Sequence, residues 1–111
     1  MSEDLVDRYA VTLDLKGVRD KAGLMDRVAN TLNLPDWFGR NWDALLDSLS
    51  DTTAWPPAAI ERGLLVVVRN WEPLAEWNPG DWRIARDVFS EAVDRTSFLD
   101  VMLALGGTSE L

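Results

Sequence analysis

Five consecutive apolar residues, Leu64-Leu65-Val66-Val67-Val68, constrain the fold of this chain more than any other feature. β-branched side chains favour an extended backbone, and a run without polar alternation suits a strand buried on both faces. Strands of that kind belong to parallel sheets covered by helices. Two further segments read as strands. Tyr9 to Leu15 alternates, with Tyr9, Val11, Leu13 and Leu15 on one side, and Gly17 ends it. Phe98 to Leu105 is the third, closed by Gly106-Gly107.

The intervening segments carry helical periods. Asp20 caps a helix running to about Asn33, with Leu24, Val28 and Leu32 at i, i+4, i+8 and Gly23 as a weak point. After Pro35 and Gly39, which shape a turn, Asn41 caps a second helix over Trp42 to Ser50. Its apolar face is Trp42, Leu45, Leu46 and Leu49. Residues 51–63 read as a loop with a short helix in Ala58 to Glu61, and residues 71–77 as irregular. Asn78-Pro79 starts a last helix, with Asp81 in its first turn. It runs to about Arg95 and buries Trp82, Ala85, Phe89, Ala92 and Val93. Strands separated by helices imply right-handed crossovers. The expected fold is α/β: a small three-stranded parallel sheet packed with three to four helices, in one domain over residues 1–111 whose first seven are flexible.

Composition then narrows the chemistry. There is no cysteine and no histidine. This excludes disulfides, thiol nucleophiles, zinc-finger sites and Ser–His–Asp arrangements, and removes the usual general base. Beyond the carboxylates, only Lys16, Lys21 and Tyr9 could serve as acid or base. An enzyme is not expected, nor a cofactor or a metal. The 19 acidic and 11 basic residues give a net charge of −8. That balance argues against a nucleic-acid ligand and favours a basic partner, or simply solubility. No apolar run approaches the about 20 residues of a membrane span. The acidic first seven residues lack a signal-peptide pattern, so a cytoplasmic, reducing location is expected.

The second helix holds an anomaly. Asp43, Asp47 and Asp51 recur at i, i+4, i+8, one stripe beside the apolar face, with no lysine or arginine over residues 44–51. Like charges at i, i+4 destabilise a helix by about 0.2–0.5 kcal/mol per pair. Two explanations stand: a solvated polar face, or a stripe that a basic partner neutralises. A glycosidase pair is disfavoured, because carboxylates one turn apart do not face each other across a bond. Successive carboxylates on a straight helix likewise form no calcium cage. Of six tryptophans, Trp42 and Trp82 lie on apolar helix faces. Trp55, Trp71 and Trp77 are placed to cover the sheet ends. Trp37, in the turn before the acidic helix, is either an interface anchor or a cover for the core.

The stretch Leu34-Pro35-Asp36-Trp37-Phe38-Gly39-Arg40-Asn41-Trp42-Asp43-Ala44-Leu45-Leu46-Asp47-Ser48-Leu49 resembles the signature of the barstar family, intracellular protein inhibitors of barnase-type ribonucleases. Val88-Phe89-Ser90-Glu91-Ala92 is similar to that family's second binding segment, and the order of elements agrees along nearly the whole chain. The resemblance implies roles. Asp47 enters the nuclease active site at the phosphate position. Asp43 pairs with a neighbouring basic group, and Glu91 supplies a peripheral ion pair. Trp37 packs against the site where the family has a tyrosine. Gly39 and Asn41 present these groups. Leu46 stands where the family has a contact tryptophan. The implied partner is a basic secreted ribonuclease or related toxin nuclease, in a 1:1 complex with a chain that is monomeric when free. The changes at Trp37, Phe38 and Leu46, and a longer loop at residues 51–63, bear on which target is bound. The competing assignment is an acidic interaction module or immunity protein whose basic partner is not a ribonuclease.

Overall fold

A parallel sheet forms around the apolar run. A computed structural model describes residues 8–34 and 39–104. The elements are β1 (Tyr9–Asp14), α1 (Lys21–Leu32), α2 (Trp42–Ser50), a 3-10 turn (Thr52–Ala54), α3 (Pro57–Arg62), β2 (Leu64–Arg69), α4 (Glu72–Trp77), α5 (Pro79–Arg95) and β3 (Leu99–Leu103). β2 is central and parallel to both neighbours, from Tyr9–Leu64 to Asp14–Arg69 on one side and Leu64–Leu99 to Val68–Leu103 on the other. This is the expected α/β class, with five helices rather than three or four among the described residues.

Side chains in register share a face. Leu13, Leu64, Val66, Val68 and Leu99 point to the core and are at most 2% exposed. They pack with Leu24, Met25 and Val28 of α1, Leu45 and Leu49 of α2, and Ala85, Phe89 and Ala92 of α5. The other face departs from the expectation of burial on both sides. Leu65 is buried outside the main core, Val67 is half-buried, and their neighbours Thr12 and Met102 are exposed. The strand order explains this. Sequential strands β1-β2-β3 joined by right-handed crossovers carry both helical connections on one side. Leu65 lies between Ala10 and Asp100, where an ion pair from Arg8 to Asp100 (3.3 Å) spans the sheet.

The helix ends follow local chemistry. The Asp20 carboxylate accepts from the Gly23 N–H at 2.9 Å. The short helix expected in the 51–63 segment extends over Pro57–Arg62 and stops at Gly63, whose φ is +87°. A Cβ there would stand 2.7 Å from Arg8 Cδ and 2.9 Å from the Phe98 carbonyl oxygen, so only glycine fits. The segment read as irregular at residues 71–77 is instead helical from Glu72, because Pro73 falls where a helix needs no N–H donor and Leu74 is fully buried. Asn78 holds the cap position of α5 without a side-chain bond. Val88 is buried there and Val93 only half-buried. β1 stops at Asp14, one residue short of the expected strand, and β3 spans Leu99–Leu103. Residues 1–7, Leu105, Gly106 and Gly107 lie outside the described residues.

The tryptophans divide. Trp82 is buried and stacks on Trp71 with centroids 5.2 Å apart, and Trp71 Nε1 donates to the Ala104 carbonyl at 2.8 Å. Trp55 is buried and donates to the Leu49 carbonyl at 3.3 Å. Trp77 is not buried over a sheet end as expected: it is 66% exposed, with the Arg19 guanidinium 5.0 Å above its ring.

Two carboxylates brace the connections. Asn70 donates to Asp14 at 2.8 Å and the Lys16 N–H does so at 3.0 Å, holding the Asp14 carboxyl below its ordinary pKa of 3.8. The Thr53 hydroxyl and N–H lower Asp51 in the same way. A depressed folded-state pKa contributes stability that is present above the unfolded value and lost as pH falls through the folded one. Melts from pH 5 to pH 2 should therefore show stability falling below about pH 4. Asp51→Asn should flatten that limb, and an unchanged limb would deny Asp51 this role.

Candidate functional site

The acidic helix is presented by a tight cap. Asn41 Oδ1 accepts from the Ala44 N–H at 2.8 Å, while its Nδ2 donates to the Gly39 carbonyl at 3.3 Å. The residue in the left-handed region is Arg40, at φ +53°, and not Gly39. Gly39 serves by close approach: a Cβ would stand 3.0 Å from Asn41 Nδ2 and 3.4 Å from Ala44 Cβ. Arg40 also pairs with Asp26 of α1 at 3.4 Å, tying the turn to its neighbour. Asn41→Ala should cost about 1 kcal/mol of stability, read by urea denaturation. Trp37, with residues 35, 36 and 38, lies outside the described residues.

On α2, Leu45 and Leu49 are buried, Trp42 and Leu46 half-buried, and Asp43 and Asp47 exposed on the adjacent stripe. Asp51 leaves that stripe. Its backbone is extended, and its carboxylate accepts from the Thr53 hydroxyl at 2.6 Å and the Thr53 N–H at 3.0 Å. The three-member pattern thus reduces to Asp43 and Asp47. Among the described residues neither has an ion pair or a hydrogen-bond partner for its carboxylate. Asp43, in the first turn, gains from the helix dipole; Asp47, a turn further, gains little.

Glu91 sits on α5, exposed, and is not idle: Arg95, one turn on, donates to it at 2.8 Å. Exposed pairs of this kind are worth about 0–1 kcal/mol, so Glu91 can exchange partners at small cost. The i, i+4 spacing of Glu91 and Arg95 was readable in the sequence as a helix-surface pair.

These carboxylates stand on two helices that pack against each other. The Thr96 hydroxyl donates to the Ser50 carbonyl at 3.3 Å, joining the C-terminal ends of α5 and α2. At the other end, Lys21 Nζ lies 5.7 Å from the Trp42 ring, and the Lys21 N–H donates to Asp81 at 2.9 Å. The two helices therefore run side by side in the same sense. At about 100° per residue, Asp43 and Asp47 lie next to Leu46 and Ser50 on α2. Glu91 falls in line with Ile84, Val88 and Arg95. That is the flank opposite Arg86 and Ser90, which border β3. Asp43, Asp47 and Glu91 are thus exposed carboxylates on two helices that run side by side, and Leu46 is half-buried.

Such a surface offers hydrogen-bond acceptors to arginine or lysine. Among the described residues no group of three or more His, Cys, Asp or Glu is arranged to hold a metal ion, and no helix is long and apolar enough to cross a membrane. The family model described as barstar (barnase inhibitor) matches residues 8–105. The chain belongs to the barstar family. Barstar-family proteins bind ribonucleases such as barnase and are inhibitors rather than enzymes. The match spans every described element and includes the stretch from Leu34 to Leu49 as well as Glu91. Among curated proteins no sequence matches this one.

Proposed function

We propose that this barstar-family chain inhibits a microbial ribonuclease by placing the α2–α5 surface over its active site. The observation that carries this is the pair Asp43 and Asp47, exposed and, among the described residues, without an internal partner, on a helix whose opposite face is anchored in the core. A ribonuclease must bind phosphates, so its cleft is basic. A carboxylate held there by arginine or lysine imitates the phosphate and excludes the substrate. Asp47 is the central plug, Asp43 pairs beside it, and Glu91 exchanges Arg95 for a basic group of the nuclease. Leu46 fills the seam, and Gly39 and Trp37 belong to the adjoining loop. Burying Asp47 is favourable only where the nuclease hydrogen-bonds it fully, because an unpaired buried carboxylate is costly. The charge of −8 adds steering, which is documented for barnase–barstar itself and raises association rates most at low salt. The complex is 1:1, the free chain is a monomer, and the site of action is the cytoplasm.

Titration of a panel of guanyl-specific microbial ribonucleases, at low and high salt, tests this reading. The expected result is stoichiometric inhibition of at least one, with faster association at low salt. Host pull-downs that return only basic proteins without nuclease activity, together with a blank panel, would favour the interaction-module alternative.

A further inference from the structure

Among the described residues β3 is an edge strand, paired to β2 alone. Its bonds to β2 include the Phe98 carbonyl, which accepts from the Leu64 N–H at 2.8 Å, and the Ala104 N–H, which donates to the Val68 carbonyl at 2.9 Å. A strand residue directs its N–H and C=O to the same side, and the side alternates along the chain. Val101 and Leu103 therefore direct theirs away from the sheet, and among the described residues neither finds a backbone partner. Natural edges are usually blunted by lysine, proline or a bulge. The Leu99–Leu103 strand has no lysine or proline, its one charged side chain, Asp100, is paired with Arg8 on the opposite face, and its register with β2 is unbroken.

The same two residues floor an open groove of about 170 Å³ between β3 and α5, lined also by Arg86, Phe89 and Ser90. It adjoins a second hollow of about 210 Å³, lined by Arg83, Arg86, Asp87 and Ser90. Arg83 and Arg86 are exposed and, among the described residues, have no ion-pair partner. In a chain of net charge −8, two arginines that outnumber the one carboxylate of their hollow, Asp87, stand beside an apolar floor and a strand edge.

We propose that the α5–β3 groove binds an extended acidic segment of another protein, added to β3 as a fourth strand. The Val101 and Leu103 backbone groups supply the ladder. Of the added side chains that face α5, an apolar one covers Phe89, Val101 and Leu103, and a carboxylate meets Arg86 and Arg83. Charge complementarity selects this occupant. A second copy pairing through β3 would present Leu99, Val101 and Leu103 on that face and bring the arginines no carboxylate. A small anion would leave the strand edge open. The groove lies on the flank of α5 away from Glu91, so this inference stands apart from the inhibitor reading.

The test is a titration of the ¹⁵N-labelled full chain, followed through its amide resonances. The probes are an acetylated and amidated Thr-Val-Thr-Glu-Thr-Val-Thr-Glu peptide, its counterpart with lysine for glutamate, and sodium phosphate. The expected result is saturable shifts confined to residues 83–90 and 99–103, with the lysine peptide weaker by about tenfold or more. R83Q/R86Q, with its unperturbed spectrum showing an intact fold, should lose the glutamate-peptide response to the same extent. No saturable shift at millimolar peptide, or an equal response to the lysine peptide, would overturn the proposal. So would the same shifts from phosphate alone, which mark a small-anion site, or from raising the protein concentration alone, which give the edge to a second copy. The titration contains no nuclease, so its failure is distinct from a failure of inhibition.

Discussion

Asp47→Ala is expected to weaken the nuclease complex by about 3–5 kcal/mol, the usual cost of removing one partner from a buried charge pair. That is about two to four orders of magnitude in Kd. The size of the effect comes from the partner's side: basic groups that close around Asp47 would be left buried with no counter-charge. The same substitution should leave the free chain folded, because Asp47 is exposed and, among the described residues, has no ion pair or hydrogen bond for its carboxylate. Relief of the repulsion with Asp43 could even raise helix stability by about 0.2–0.5 kcal/mol. Kd from nuclease titration, beside a thermal melt of the free protein, separates the two quantities. A variant that binds as tightly as the parent would show that Asp47 is not the plug. Glu91→Ala should cost far less, since Glu91 already has Arg95 at 2.8 Å and gives up a pair to make one.

What was legible in the sequence was mostly what is local. Caps at Asp20 and Asn41 are bonds to an N–H three residues ahead, so residue type and spacing suffice to find them. The pairing of Asp43 with Asp47 follows from helical spacing alone. What was not legible depends on the rest of the fold. Leu64–Val68 looks equally apolar on both sides, yet one side faces the core and Val67 lies only half-buried on the other. That difference comes from the strand order, which no window of residues encodes. The Glu72–Trp77 helix was hidden because Pro73 reads as a breaker, and the burial of Leu74 decides otherwise. Asp51 drops from the acidic stripe because Thr53 offers its carboxylate two bonds in the following turn, a local competition that helical periodicity ignores.

Leu45→Ala is expected to lower stability by about 2–5 kcal/mol, with the melting temperature falling on the order of 10–20 °C. Leu45 is fully buried, and α2 is only nine residues long. A helix so short is marginal alone and owes its order to the face it buries. Leu45 and Leu49 are its two buried residues, so the truncation removes about half of what fixes α2 against α5 and the sheet. The loss should therefore extend beyond global stability. At a temperature where the variant is still folded, inhibition should weaken as well, although Leu45 itself touches no partner, because Asp43 and Asp47 hold their spacing to Glu91 only while α2 is seated. Leu24→Ala, an equally buried change on α1 away from the acidic surface, serves as the control. A similar fall in melting temperature with unaltered inhibition is expected there. Should both variants lose inhibition equally, the effect would be one of global stability, and the seating of α2 would not be what orders the carboxylates.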